Sequence, residues 1–195
     1  MKKTLLLLTL LYLFAWQRSA GGVIVHPENQ NHMTTDTSKT RDLIVTRTFD
    51  APLEEVWKAW SDSGYVKQWW GPKVFTCPVA KMDFREGGAS LVCMRTPDGH
   101  DLYNTWNYHK IVPMELIEFV MRFSDADGQA VDPAKMGLPA ELAAGVRHKI
   151  TFRPVDGKTE MTVTEFGYTN DQTYEMSKAG LEECLDKMAL IFSKK

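Results

Sequence analysis

Cysteine is scarce in this chain: three residues in 195, Cys77, Cys93 and Cys184. They are widely spaced, form no Cys-x-x-Cys pair, and do not settle the redox compartment. Each reads as a small buried hydrophobe, and a Cys77–Cys93 disulfide stays open if the strand-like runs around them pair. Positive charge is not in excess either. Lys plus Arg number 23 against 25 Asp plus Glu, for a net charge of −2. With no basic patch, nucleic-acid binding has no electrostatic support. There is no polyacidic tail, internal repeat or low-complexity tract. No His-x-His, His-Glu-x-x-His or Cys-His spacing occurs, which argues against a metal site. No nucleophile elbow, phosphate loop or dinucleotide fingerprint is present, and nothing in the sequence calls for a cofactor. The one long apolar run, Leu5 to Trp16 relieved by Thr9, is short of the ~20 residues a membrane-spanning helix needs.

What remains is an ordinary globular composition, 44% hydrophobic and 25% charged, of a length that suits one domain and an appendage. Residues 1–22 carry Lys2 and Lys3, the apolar run, and then the small residues Ser19, Ala20, Gly21 and Gly22. That is the layout of a secretory signal peptide, and it predicts export to the periplasm or beyond, with no stable membrane span after cleavage. Two alternatives stay open: an uncut anchor, or a cytoplasmic protein starting at Met33. Residues 23–40 are polar and aperiodic, a linker. The domain proper is 41–195.

Along that domain the patterns alternate in kind. "RDLIVTRTF" reads as a strand. Asp50 is a helix N-cap candidate and Pro52 suits a first turn, so "PLEEVWKAWSD" is a short amphipathic helix. "YVKQWW" is a second, stopped by Gly71-Pro72. "FTCPVAKMDF" is a strand whose Pro78 marks an edge or bulge. "ASLVCMRT", "HDLYNTWNYHKIV" and "ELIEFVMRF" follow as strands, then a long loop over 125–145. "VRHKITFRP" and "TEMTVTEFGY" form a hairpin through Asp-Gly. The last 25 residues make the longest helix, with Tyr174, Leu181, Leu185, Met188 and Phe192 in one stripe. The expected fold is α+β: about six antiparallel strands after two short helices, covered by the terminal helix, with an apolar space between curved sheet and helix.

This order, together with "FDAPLEEVWKAWSD", "VKQWWGP", "FREGG", "MRTPDG" and "IVPMEL", resembles the helix-grip superfamily of START-like, birch-pollen-allergen-like proteins (SRPBCC). Within it the chain is most similar to the family named after the activator of the heat-shock-protein-90 ATPase, in its small bacterial single-domain form. The resemblance covers about residues 41–194. It implies a curved antiparallel sheet gripping a C-terminal helix over a cavity. It also implies one of three activities: binding a hydrophobic small molecule, co-chaperone work, or cyclase-like or dehydratase-like catalysis. It brings no universal catalytic residue. The leader-like segment departs from the cytosolic co-chaperones, and Trp106 stands where relatives often carry a small residue.

The favoured function is non-covalent binding of a small hydrophobic ligand between sheet and terminal helix, without catalysis. Cavity candidates, chosen by face and position, are Trp69, Met94, Trp106, Phe119, Met121, His148, Leu181 and Met188. Of the adjacent Trp69 and Trp70, one is expected in the core and the other at the pocket, since neighbours on a helix do not share a face. A co-chaperone-like partner surface is the first rival and needs the Met33 start. A cyclase- or hydrolase-like enzyme using His148 and Glu165 is the second. By alternation His148 points inward with Val146, Ile150 and Phe152. Glu165 is in phase with Met161 and Val163, but its place near the strand end favours solvent. Asp83 and Arg85 are expected to pair as a staple before the Gly87-Gly88 turn.

Overall fold

The computed structural model describes residues 40–193; the leader-like segment and nearly all of the linker lie outside them. The elements run β1 (Arg41–Phe49), α1 (Leu53–Ser61), α2 (Ser63–Trp69), β2 (Thr76–Lys81), β3 (Ala89–Arg95), β4 (Asp101–Val112), β5 (Leu116–Ser124), two single 3-10 turns (Pro133–Met136 and Ala140–Ala144), β6 (Val146–Val155), β7 (Lys158–Tyr168) and α3 (Asp171–Phe192). The strands form one seven-stranded sheet in the order β1-β7-β6-β5-β4-β3-β2, with every pairing antiparallel.

Local chemistry accounts for most of the boundaries. Pro78 lies in β2, an edge strand, where a missing N–H breaks no ladder bond on the free side. Asp156 and Gly157 both take positive φ, 50° and 76°, as a two-residue hairpin with the strands' own twist requires. Asp62 ends α1 and caps α2, accepting from the N–H groups of Gly64 and Tyr65 at 2.8 and 3.1 Å. Asn170 caps α3 in the same manner. The Asp50 cap is a correction: α1 starts at Leu53, Pro52 holds the N-cap position, and no side chain caps it. Proline's fixed φ sets that entry instead.

The stripe on α3 packs onto the inner sheet face, with Leu181, Leu185, Met188 and Phe192 buried. Arg41 bonds Asp171 and Glu175, Arg47 bonds Asp186, and the Arg41 guanidinium lies 3.3 Å above the Tyr174 ring. These partners are largely exposed, so they set register more than stability. Further contacts tie α3 to the loop before β2: Lys187 Nζ donates to the carbonyls of Gly71 and Phe75, each at 2.9 Å, and Lys73 N–H donates to Glu183. The helix is thus clamped to the loop that follows the tryptophan pair.

Asp83 and Arg85 do pair, at 2.9 and 3.2 Å. The glycine behind them is required by space. A Cβ on Gly88 would fall 2.3 Å from the Asp83 carbonyl oxygen, a backbone atom that cannot swing aside. Gly88→Ala is expected to destabilise the fold by about 2 kcal/mol or more, measured by urea denaturation; a change under half of that would show that the turn can shift.

Candidate functional site

The inner sheet face carries one row of side chains set by strand register. Tyr108 on β4 lies opposite Phe119 on β5, Phe119 opposite His148 on β6, His148 opposite Glu165 on β7, and Glu165 opposite Leu43 on β1. Apolar, aromatic and ionisable groups are therefore neighbours by the pleat alone. The His148 ring stacks on Phe119 at 4.7 Å and 9°, and Phe119 stacks on Trp106 at 5.2 Å and 26°. Trp60 meets Trp69 at 4.7 Å and Trp106 at 5.8 Å, and Trp70 meets Trp106 edge-on at 4.7 Å. The tryptophan and phenylalanine rings belong to one buried cluster with Leu181, Leu185, Met188 and Phe192 of α3.

Both members of the tryptophan pair turn inward, Trp69 fully buried and Trp70 7% exposed, although neighbours on one helix would not share a face. Trp69 is the last residue of α2, while Trp70 is its C-cap, with φ −67° and ψ 122°. One residue is helical and the next extended, so the facing rule for helices stops applying between them. Their rings lie 5.5 Å apart at 88°.

Glu165 is also a correction. It is 7% exposed rather than solvated. One carboxylate oxygen sits 3.0 Å from His148 Nε2 and the other accepts the Tyr168 hydroxyl. His148 Nδ1 lies 3.0 Å from the Val146 carbonyl oxygen, which can only accept, so Nδ1 carries a hydrogen. A single proton then lies between Nε2 and the carboxylate. Burial, then the Glu165 carboxylate beside it, push the Tyr168 hydroxyl well above the ordinary tyrosine range, so it stays a donor. Tyr168 reaches this cluster because of a bulge. Leu43 faces Glu165 and Arg41 faces Tyr168, so two residues advance on β1 while three advance on β7, with Gly167 at φ 91° between them. Strict alternation would have put Tyr168 on the outer face.

Among the eight cavity candidates, Trp69, Trp106, Phe119 and His148 form the continuous ring stack. Leu181 and Met188 pack from α3 as part of the same core. Met121, half-buried, lies opposite Trp106, and Met94, half-buried, lies against Gly71. Sequence reasoning missed Asn104 and Tyr168. Asn104 was in phase with Trp106 and Tyr108 in "YNTWNYH", so its inward position was available; the bulge behind Tyr168 was not. His100 and His109 are exposed. Among the described residues no three His, Cys, Asp or Glu converge as metal ligands.

The cysteines are buried free thiols. Strands β2 and β3 do pair, but a register shift sets Cys93 opposite Val79, and Cys77 Sγ bonds the Val79 carbonyl. Burial raises all three thiols from the ordinary 9.0, Cys93 to about 11 and Cys184 to about 12. The unfolded chain therefore releases thiol protons near pH 9 while the folded chain holds them, so stability falls as pH rises from 9 toward 12. Burial lowers Lys187 instead, which acts in the opposite sense, but one lysine opposes three thiols and the raised Tyr108 and Tyr168. Cys184→Ala is expected to flatten the alkaline decline in a denaturation series; an unchanged slope would place the loss elsewhere.

A curved antiparallel sheet closed by two short helices at one end and gripped by a long C-terminal helix defines the helix-grip class. The family model described as "Activator of Hsp90 ATPase homolog 1-like protein" matches residues 50–193, and the chain belongs to that family. No curated protein matches. Among solved structures, a protein of Chromobacterium violaceum is 25% identical, with 77% of this chain and 96% of that one covered and a TM-score of 0.64. A protein of Arthrobacter aurescens is 23% identical, covering 79% and 87%, at 0.67. The AHSA1 protein of Silicibacter pomeroyi is 19% identical, covering 78% and 98%, at 0.64. The two below 25% show the shared fold.

Proposed function

We propose that the chain binds a small, mainly apolar molecule between the inner sheet face and α3. One observation supports this above others: an aromatic interior with a few polar groups embedded in it, the general make-up of a small-molecule site. His148, Glu165 and Tyr168 lie within that interior at the edge of the ring stack. Burying apolar ligand surface there contributes roughly 25 cal/mol per Å² before ordering costs. The tryptophans occupy the space at rest, so the ligand must displace side chains. Half-buried Met94 and Met121, unbranched and adaptable, are the walls that yield most readily. A surface groove of about 710 Å3 between the start of α1 and the end of α3 is lined by none of His148, Glu165 and Tyr168.

Native mass spectrometry of protein isolated from its own host is the test. A bound apolar mass, released on denaturation and raising Tm when added back, is the expected result. An empty protein whose Tm no apolar compound raises would overturn the proposal. The same spectrum reads the N-terminus. A start near Gly22 or Val23 would fit export, whereas a start at Met33 would fit the cytoplasm.

A second reading, acid–base catalysis by His148 and Glu165, is favoured by their 3.0 Å contact on the inner face. It expects Glu165→Gln to keep ligand affinity and abolish turnover of the co-purified molecule. Equal turnover by the variant would remove it.

A further inference from the structure

Two hydrogen-bond donors in this interior have no acceptor among the described residues: the indole Nε1–H of Trp70 and the amide Nδ2 of Asn104. Asn104 is 0% exposed and Trp70 7%. A buried unpaired donor is costly, and native interiors rarely leave one without a use.

The orientation of the Asn104 amide is not arbitrary. Its Oδ1 accepts from Trp106 Nε1 at 3.2 Å. An indole N–H can only donate, so turning the amide over would set two donors against each other. Oδ1 is committed, and Nδ2 presents its hydrogens elsewhere. Both donors belong to side chains that contact Trp106, Asn104 through its amide oxygen and Trp70 edge-on at 4.7 Å. They are also close to a way in. Along β3 and β4 the inward pairs are Ser90 with Trp106, Val92 with Asn104, and Met94 with Leu102. The first two are buried, while Met94 and Leu102 are half-exposed. Met94 in turn touches the Gly71 position next to Trp70. Asn104 lies one rung inside the half-exposed Met94–Leu102 pair, and Trp70 is next to the residue that Met94 touches.

We infer that Trp70 Nε1 and Asn104 Nδ2 form a subsite for a neutral hydrogen-bond acceptor, a ketone or similar carbonyl oxygen on a flat apolar molecule, entering past Met94 and Leu102. A carboxylate fits less well. Both donors are uncharged and the rings around them are apolar, so an anion would lose its hydration without meeting a counter-charge. The ammonium of Lys187 is held by the Gly71 and Phe75 carbonyls. The inference rests on the small-molecule reading above and specifies the chemistry of its ligand.

The test compares 2-acetylnaphthalene with 2-ethylnaphthalene, nearly equal in shape but only one bearing an acceptor. The full chain is titrated by tryptophan fluorescence. The ketone is expected to bind about tenfold more tightly, the value of one to two neutral hydrogen bonds. Trp70→Phe, which keeps a ring and removes the N–H, is expected to cut that preference severalfold, and Asn104→Leu to do the same. If either variant fails to fold, the wild-type protein still reports: the Trp70 indole N–H resonance moves downfield with the ketone and not with the hydrocarbon. Equal affinity for both probes, with no indole shift, would overturn the subsite and leave the binding reading standing; the donors would then be served by trapped water. Failure of both probes to bind would overturn subsite and binding reading together.

Discussion

Glu165→Leu is expected to lower unfolding stability by about 3–5 kcal/mol, the range for removing one partner of a buried, hydrogen-bonded ionisable pair. The change leaves His148 Nε2 and the Tyr168 hydroxyl, on side chains that are both buried, facing an apolar side chain. For a domain of this size the loss corresponds to a Tm shift of roughly 6–20 °C. The informative variant is the double one. Glu165→Leu with His148→Phe removes both ionisable partners and keeps a ring to stack on Phe119. Because an apolar replacement of a buried pair is often close to neutral, the double variant is expected to recover most of the loss. Urea denaturation of wild type, both single variants and the double measures this as a coupling energy. Strictly additive losses would mean that the 3.0 Å contact carries no coupling, and that the row is held by packing alone.

Trp106→Ala carries the second large effect, about 3–5 kcal/mol, as for a large aromatic truncated in a packed core. Trp106 is 0% exposed and touches Trp60, Trp69, Trp70 and Phe119. Removing it is expected to open an apolar cavity beneath α3, and apolar cavities of that kind stay dry and take up small aromatics. Added indole should therefore raise the Tm of the variant and leave wild type unchanged. Destabilisation without rescue would indicate that the surrounding rings collapse into the gap. Destabilisation with rescue would show that the interior can be shaped for a ligand by one residue.

The two experiments separate polar from apolar parts of one site. The Glu165 series acts at the edge of the ring stack, where every polar atom of the cluster is paired. The Trp106 variant acts at its centre, beside the two donors that are not. Loss of ligand binding in one and gain in the other would locate the molecule along the stack.

Much of this arrangement was legible in the residues because it follows from short-range rules. Period-two alternation placed Phe119, Met121 and His148 on the inner face. Pro78 marked its strand as an edge or a bulge, and Asp-Gly set the last hairpin. The spacing of Leu181, Leu185, Met188 and Phe192 put one stripe of α3 against the sheet. The motifs around Trp69-Trp70-Gly71-Pro72 and Gly87-Gly88 pointed to the family. Local steric and hydrogen-bonding preferences are sufficient for each, since they act over a few residues.

What local rules could not supply was decided by contacts far apart in sequence. Trp70 turns inward only because the chain leaves the helix at that residue. Tyr168 reaches Glu165 only because β1 and β7, more than a hundred residues apart, pair with a bulge at Gly167. Glu165 is buried because α3 closes over the end of its strand, and its partner His148 comes from the neighbouring strand in register. The orphan donors of Trp70 and Asn104 exist only where α2 meets the face of β4. Such features depend on which surfaces the completed fold brings together, and the free energy of burying a group is set there rather than along the chain.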